Sequence, residues 1–264
     1  MALVDYHNHT YLCEHASGSL EDYINAAITS DLIELGFSDH APLPLEIRDG
    51  ITMHPEETEV YIALLEKNRD IYRDKIDIKL GFEIDYPLRE SFNRQYLSDT
   101  RLDYLIGSCH FLGDWAFDQS RYAREFENRD IDGIYYEYYS VILDIVLSGY
   151  FNIIGHFDII KKFGHRPKMD FRETIIGIAK MISKKDIAVE INTGGLRKPV
   201  REIYPSDDII TLFYNMNVPI TLGSDSHASE EVGYMFDSAI EKIKKVGYKK
   251  ISGFSKRKRY DILI

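Results

Sequence analysis

Leu3-Val4-Asp5-Tyr6, running without a break into His7-Asn8-His9, decides how the whole chain is read. A short apolar run reads as a buried strand. On a strand, residues two apart face the same side, so His7 and His9 are both placed to reach one metal ion. The same arrangement recurs along the chain. Apolar runs from Leu32 to Phe37, Ile76 to Phe82, Tyr104 to Ser108, Asn152 to Ile154, Ile187 to Ile191 and Pro219 to Gly223 each lead into a ligand-type residue or another polar cluster. Asp39-His40, Glu83, His110, His156 and Asp225-Ser226-His227 stand at such ends, and His15 follows the first. Imidazole and carboxylate are ligands of zinc, iron and manganese. Seven of the nine histidines belong to this set, which a scatter of surface histidines would not produce, and the chain reads as a metalloenzyme.

Helical patterns separate the runs. Ser19-Leu20-Glu21-Asp22 has the form of a capping sequence, with Ile24, Ala27 and Ile28 on one face behind it. Pro55 opens a second helix to about Tyr72, and further helices are expected over Glu90 to Leu97, Asp132 to Leu147, Phe171 to Lys184, Ser206 to Met216 and Glu230 to Val246. Seven strand-helix repeats favour a closed parallel barrel over an open sheet. Ile251 to Phe254 is expected as an eighth strand or an edge addition. The repeat runs through 264 residues without a Pro, Gly or Ser-rich linker, so one domain is expected over residues 1–264. In such a barrel the C-terminal strand ends converge on one mouth, which lets ligands far apart in sequence meet.

Composition narrows the function. With 44% hydrophobic and 28% charged residues, the chain has what a globular protein needs for a sizeable core. The start lacks the flank and apolar stretch of a signal peptide, and no uncharged run approaches the ~20 residues of a membrane span; a cytoplasmic address and no membrane partner are expected. Two cysteines, Cys13 and Cys109, are too few for a disulfide scaffold, and neither is counted among the ligands. A net charge of −11 argues against a general nucleic-acid binder, while a phosphorylated small molecule stays compatible, because bound cations reverse the sign of a pocket. From Lys242 to Arg259 there are nine basic residues and no acidic one. This run is read as a solvated terminal face rather than an anion site.

The chain resembles the polymerase and histidinol phosphatase (PHP) superfamily, and within it the histidinol-phosphatase branch. The resemblance is carried by Asp5-Tyr6-His7-Asn8-His9-Thr10, Cys13-Glu14-His15-Ala16, Gly36-Phe37-Ser38-Asp39-His40-Ala41, Gly81-Phe82-Glu83-Ile84-Asp85-Tyr86, Gly107-Ser108-Cys109-His110-Phe111, Gly155-His156-Phe157-Asp158, Glu190-Ile191-Asn192-Thr193 and Gly223-Ser224-Asp225-Ser226-His227. It implies a distorted (β/α)7 TIM-like barrel, an α/β fold with three divalent ions (zinc, iron or manganese) at the C-terminal strand ends. It implies His7, His9, Glu83 and Asp225 at a first ion, His15, His40 and His227 at a second, and Glu83, His110 and His156 at a third, with Glu83 as bridge. Asp39 is expected beside His40 as a hydrogen-bond acceptor that orients an imidazole. Asp85 and Asp158 are expected outside the ligand set.

The implied activity is a phosphomonoesterase hydrolysing L-histidinol phosphate in histidine biosynthesis, by attack of a hydroxide that bridges the metals. Glu83, Asp225 and His227 are the expected catalytic residues, with His227 or a bound water as proton donor. Arg197, on a glycine-containing loop, is expected over the phosphate, with Lys161 and Lys162 as weaker candidates. His54 and His165 are read as solvent-facing. A PHP-type phosphoesterase acting on nucleotides or nucleic-acid ends is the competing reading; it would want a basic, aromatic-lined groove, against the acidic balance. A non-catalytic metal-binding module is the third reading, disfavoured by the full ligand set.

Overall fold

All seven apolar runs form strands, and the strands lie in chain order in one parallel sheet: β1 (Leu3–Asp5), β2 (Leu32–Phe37), β3 (Asp77–Asp85), β4 (Tyr104–Ser108), β5 (Ile153–Ile154), β6 (Ala188–Asn192) and β7 (Ile220–Gly223). The computed structural model describes residues 2–48, 50–86 and 94–264. The helices are α1 (Leu20–Thr29), α2 (Leu45–Arg48), α3 (Thr58–Tyr72), α4 (Arg94–Leu97), α5 (Ile131–Ser148), α6 (Arg172–Lys185), α7 (Asp207–Asn215) and α8 (Phe236–Val246). Parallel neighbours need crossovers, and helices on the outer face supply them, which makes the sheet a (β/α)7 TIM-like barrel.

The first and last strands meet. The Tyr6 N–H donates to Leu222 O and the Ser226 N–H to His7 O, both at 3.1 Å. The buried Asp5 carboxylate fastens this seam, accepting the Ser224 N–H at 2.9 Å, the Ser224 hydroxyl at 2.5 Å and the Gly233 N–H at 3.0 Å. Large aromatics fill the barrel: Tyr104 and Phe254 both pack against Tyr6, with ring centroids 4.9 and 5.5 Å away. Gly81 makes room, since a Cβ there would stand 2.6 Å from the Tyr104 ring.

The Ile251 to Phe254 run does not join the barrel. It lies in β8 (Lys250–Ser255), paired antiparallel with β9 (Lys258–Leu263) as a separate hairpin. The reason is that β1 and β7 already occupy each other's edges. The hairpin closes the N-terminal end of the barrel, where the Phe254 N–H donates to the Tyr6 hydroxyl at 2.9 Å and the Thr221 hydroxyl to Ser252 O at 2.9 Å.

Ser19 and Asp22 form the expected capping box on α1. The helix expected over Glu90 to Leu97 lies partly outside the described residues; only Arg94–Leu97 is helical among those described. The one expected over Glu230 to Val246 begins at Phe236, after a short turn at Ser229–Glu231. Pro55–Glu57 is likewise a tight turn leading into α3. No helix among the described residues is long and apolar enough to cross a membrane.

Candidate metal centre

Strand ends bring the ligand residues to one mouth. Glu83 lies within β3 and is 2% exposed, so its carboxylate points into the barrel and both oxygens find imidazoles. Oε1 lies 2.9 Å from His156 Nε2 and 3.6 Å from His110 Nε2, and Oε2 lies 3.1 Å from His40 Nδ1 and 3.2 Å from His7 Nε2. The Ser108 hydroxyl, from the next strand, donates to Oε1 at 2.6 Å. On the far side, Asp225 Oδ1 lies 3.5 Å from His9 Nε2 and 3.6 Å from His227 Nδ1. Asp225 holds a left-handed backbone at φ 54°, uncommon for a non-glycine residue but one that aspartate tolerates.

The donor set fits divalent cations. His7 Nε2 and His9 Nε2, which face Glu83 and Asp225, are buried with no hydrogen-bond partner, a costly state for polar atoms that a cation relieves. His15 Nε2 faces His227 Nε2 at 2.9 Å, and His110 Nε2 faces His156 Nε2 at 3.1 Å, so lone pairs point at shared space. Donor atoms within each of the sets His7-His9-Asp225, His15-His40-His227 and His7-Glu83-His156 lie within 4.8 Å of one another. All nine expected ligands therefore fall in one cluster.

Charge divides the cluster. Burial works against charging His7, His9 and His110, yet adjacent carboxylates outweigh it: Glu190 and Glu83 at His7, Asp225 and Asp39 at His9, and Asp85 and Glu83 at His110, whose pKa is raised to about 10. Burial and the neighbouring His9 hold His15, His40 and His227 low. The lowered His227 pKa favours the neutral imidazole, the form that offers a lone pair. Burial also opposes charge on Glu83 and Asp225, but the surrounding imidazoles, His7 foremost, keep both carboxyls well below their usual range.

Supporting residues orient the rings. Asp85 Oδ1 meets His110 Nδ1 at 2.7 Å. Asp39 accepts the His40 backbone N–H at 2.8 Å, but the imidazole it approaches is that of His9, 3.5 Å away. Asp158 accepts the Ser206 N–H at 3.0 Å. Glu190, outside the expected site residues, meets His7 Nδ1 at 2.7 Å and accepts the His156 N–H at 2.8 Å. A lone carboxylate inside the apolar run Ile187 to Ile191 was the signal for it. Cys13 Sγ lies within 4.8 Å of donor atoms of His9 and His227, with burial pushing its thiol pKa up. Cys109 turns away, toward Phe111 O at 3.4 Å.

A cavity of about 470 Å3 opens over the cluster, lined by His110, Glu83, Asp225 and His227 and walled by Phe111, Ile51 and Ile159, with Asp118, Lys162 and Lys198 among its charged groups. Of the three cations expected at the phosphate, only Lys162 lines it. Arg197 instead donates from Nη2 to Ser224 O at 2.8 Å and Asp225 O at 2.9 Å, and pairs with Glu231 at 3.0 Å. It holds the Asp225 backbone rather than facing the cavity. Lys161 is buried, 2.8 Å from Asp158 and 3.2 Å from Glu202. Lys198, the neighbour of Arg197, is the mouth cation that sequence reasoning missed by one position. His54 pairs with Glu14 at 3.3 Å and His165 stacks on Phe126 at 4.8 Å; neither lines the cavity.

A family model described as PHP domain matches residues 5–194. A protein of Deinococcus radiodurans named as a probable histidinol-phosphatase is 37% identical over 247 residues, 93% of this chain and 94% of its own. The histidinol-phosphatase of Bacillus subtilis is 28% identical over 266 residues, 90% of this chain and 98% of its own. Among solved structures, the histidinol phosphate phosphatase of Lactococcus lactis, crystallised with zinc, L-histidinol and phosphate, is similar at a TM-score of 0.81 and 26% identity, covering 98% of each chain.

Proposed function

The chain belongs to the PHP domain family, and from that premise we propose that it hydrolyses L-histidinol phosphate to L-histidinol and inorganic phosphate, a reaction of histidine biosynthesis. The observation that carries this reading is the cavity over the imidazole-carboxylate cluster, whose walls supply cations, a carboxylate and apolar surface together. Likeness over its whole length to a phosphatase crystallised with L-histidinol and phosphate supports it.

Three divalent ions, drawn from zinc, iron and manganese, belong to the proposal. His7, His9, Glu83 and Asp225 would hold one, His15, His40 and His227 another, and Glu83, His110 and His156 a third. When bound, such ions bring water within reach of deprotonation near neutral pH and neutralise charge on a phosphoryl group. The chain's own residues do the rest. Lys162 and Lys198 take the outer phosphate oxygens as point charges. Asp118, 3.2 Å from Lys162, faces the same cavity and suits the ammonium group of L-histidinol, while Phe111 offers a face for its ring. Asp225 and Glu83 stay ionised and fix the cluster that faces the reacting phosphorus, with His227 contributing a lone pair. A cytoplasmic location is part of the proposal, supported by two free, buried thiols.

A phosphate-release panel with metal-replete protein tests the reading. Turnover of L-histidinol phosphate is expected to exceed that of mononucleotides and of phosphorylated oligonucleotide ends by on the order of 100-fold in kcat/KM, since a site built for a small amine leaves polar groups unpaired with other substrates. Faster release from nucleotides overturns it.

A further inference from the structure

A second cavity, of about 560 Å3, lies where Asn152 and Ile187 lead into β5 and β6, against Arg257, Lys258 and Arg259 of the β8–β9 hairpin. These are the N-terminal ends of the strands, so it opens on the face opposite the metal centre. Its charged lining is Lys185, Arg257, Lys258 and Arg259 against one carboxylate, Asp186. In a chain of net charge −11 this is a local reversal of sign. Arg259 is neutralised, 2.8 Å from Asp186 and 2.6 Å from Asp261. Lys185, whose Nζ donates to Leu147 O at 3.4 Å, Arg257 and Lys258 make no ion pair among the described residues.

Arg257 is fixed in place by uncharged oxygens. Its Nε donates to the Asn152 side chain, Nη2 to Tyr150 O and Nη1 to Leu97 O at 3.4 Å. These bonds use three of the five guanidinium N–H groups and leave the positive charge uncompensated, in a half-buried position where burial pulls its pKa down. A charge held partly out of water without a partner is costly, and a bound anion removes that cost. The turn keeps Lys256 and Arg257 at φ 48° and 65°, where hairpins favour Asn-Gly. Lys185 alone is accounted for as a cation at the C-terminus of α6. Arg257 and Lys258 lie on the hairpin and have no such explanation.

We propose that this cavity binds a small phosphate-bearing anion, held by the free N–H groups of Arg257 and the ammonium groups of Lys185 and Lys258. Three cations lining one cavity suit a dianion, and the volume exceeds what inorganic phosphate alone fills. The test uses the metal-replete full chain and two probes, inorganic phosphate and adenosine monophosphate, with sodium chloride at matched ionic strength as control. Backbone amides are followed by NMR. The expected result is a saturable shift at Gly149, Lys185 and Lys258 that chloride does not reproduce, resolved from the shifts phosphate causes around Lys198. Tighter binding of the nucleotide would identify a phosphate ester as the ligand, and tighter binding of inorganic phosphate the free ion; both support the site. In the exposed double variant Lys185→Glu/Lys258→Glu, affinity at this face falls about tenfold or more, while turnover and the shifts near Lys198 stay as in the parent. No saturable shift at this face, a shift equalled by chloride, or undiminished affinity in the double variant overturns the proposal.

Discussion

Glu83 is the residue on which the two halves of the cluster depend, because one oxygen faces His110 and His156 and the other faces His7 and His40. Replacing it by alanine is expected to lower kcat by at least about 100-fold, ~2.7 kcal/mol of barrier, and to reduce bound metal by at least one ion in elemental analysis. Retention of more than about a tenth of turnover, ~1.4 kcal/mol, excludes the bridging role. The cations separate differently. Lys162→Ala and Lys198→Ala each remove a charge-assisted bond of about 1.5–3 kcal/mol, so kcat/KM on L-histidinol phosphate is expected to fall roughly 10-fold to 150-fold with metal content unchanged. Arg197→Ala releases the Ser224 and Asp225 carbonyls, and is expected to lower metal occupancy together with kcat. A change confined to KM would return Arg197 to the phosphate.

Strand β6 shows how an element serves the centre from behind. Glu190, 1% exposed, reaches His7 beyond the end of β1 and the His156 backbone after β5, so one carboxylate sets the segments that follow two separate strands. Glu190→Gln keeps the shape but not the charge; metal affinity is expected to weaken about 10-fold to 100-fold, measured by competition with a chelating dye. Space beside it is scarce. A Cβ on Gly223 would overlap the Glu190 carboxylate and stand 2.8 Å from His7 Cβ, so Gly223→Ala is expected to cost about 1–3 kcal/mol in denaturant unfolding. An unchanged midpoint would show that β7 shifts to accommodate the methyl.

At the scale of the molecule, the cluster links stability to pH in opposite senses with and without metal. In metal-free protein His7, His9 and His110 have raised pKa values. Their contribution is full below the unfolded value of about 6.5 and is lost as pH rises through the folded one, about 10 for His110. Glu83 and Asp225, whose pKa values are depressed, contribute above about pH 4 and lose that share as pH falls through their folded values. Metal binding needs unprotonated imidazole and releases these protons. The metal-free Tm is therefore expected to fall between pH 6.5 and 10, while metal affinity rises with pH over the same span. Calorimetry with and without chelator checks both. A metal-free Tm that rises over this range would contradict the raised imidazole values.

Local pattern determined the strands and singled out nine candidate ligands at their ends, because strand period and the ends of apolar runs are written in neighbouring residues: Leu3-Val4-Asp5-Tyr6 before His7 and His9, or Gly81-Phe82 before Glu83. Partners distant in sequence were decided only by the fold. Arg197 and Lys198 are adjacent in a basic pair, and nothing local says that one turns inward to the Asp225 carbonyl while the other faces the cavity. Ile251 to Phe254 has the pattern of an eighth strand, yet the pairing of β1 with β7 leaves it no edge to join. Glu190 joins His7 across 183 positions, and the basic run after Lys242, read as a solvated face, lines a cavity only because the hairpin folds beneath β5 and β6. Periodicity records which side a residue faces; closure of the barrel decides what it meets there.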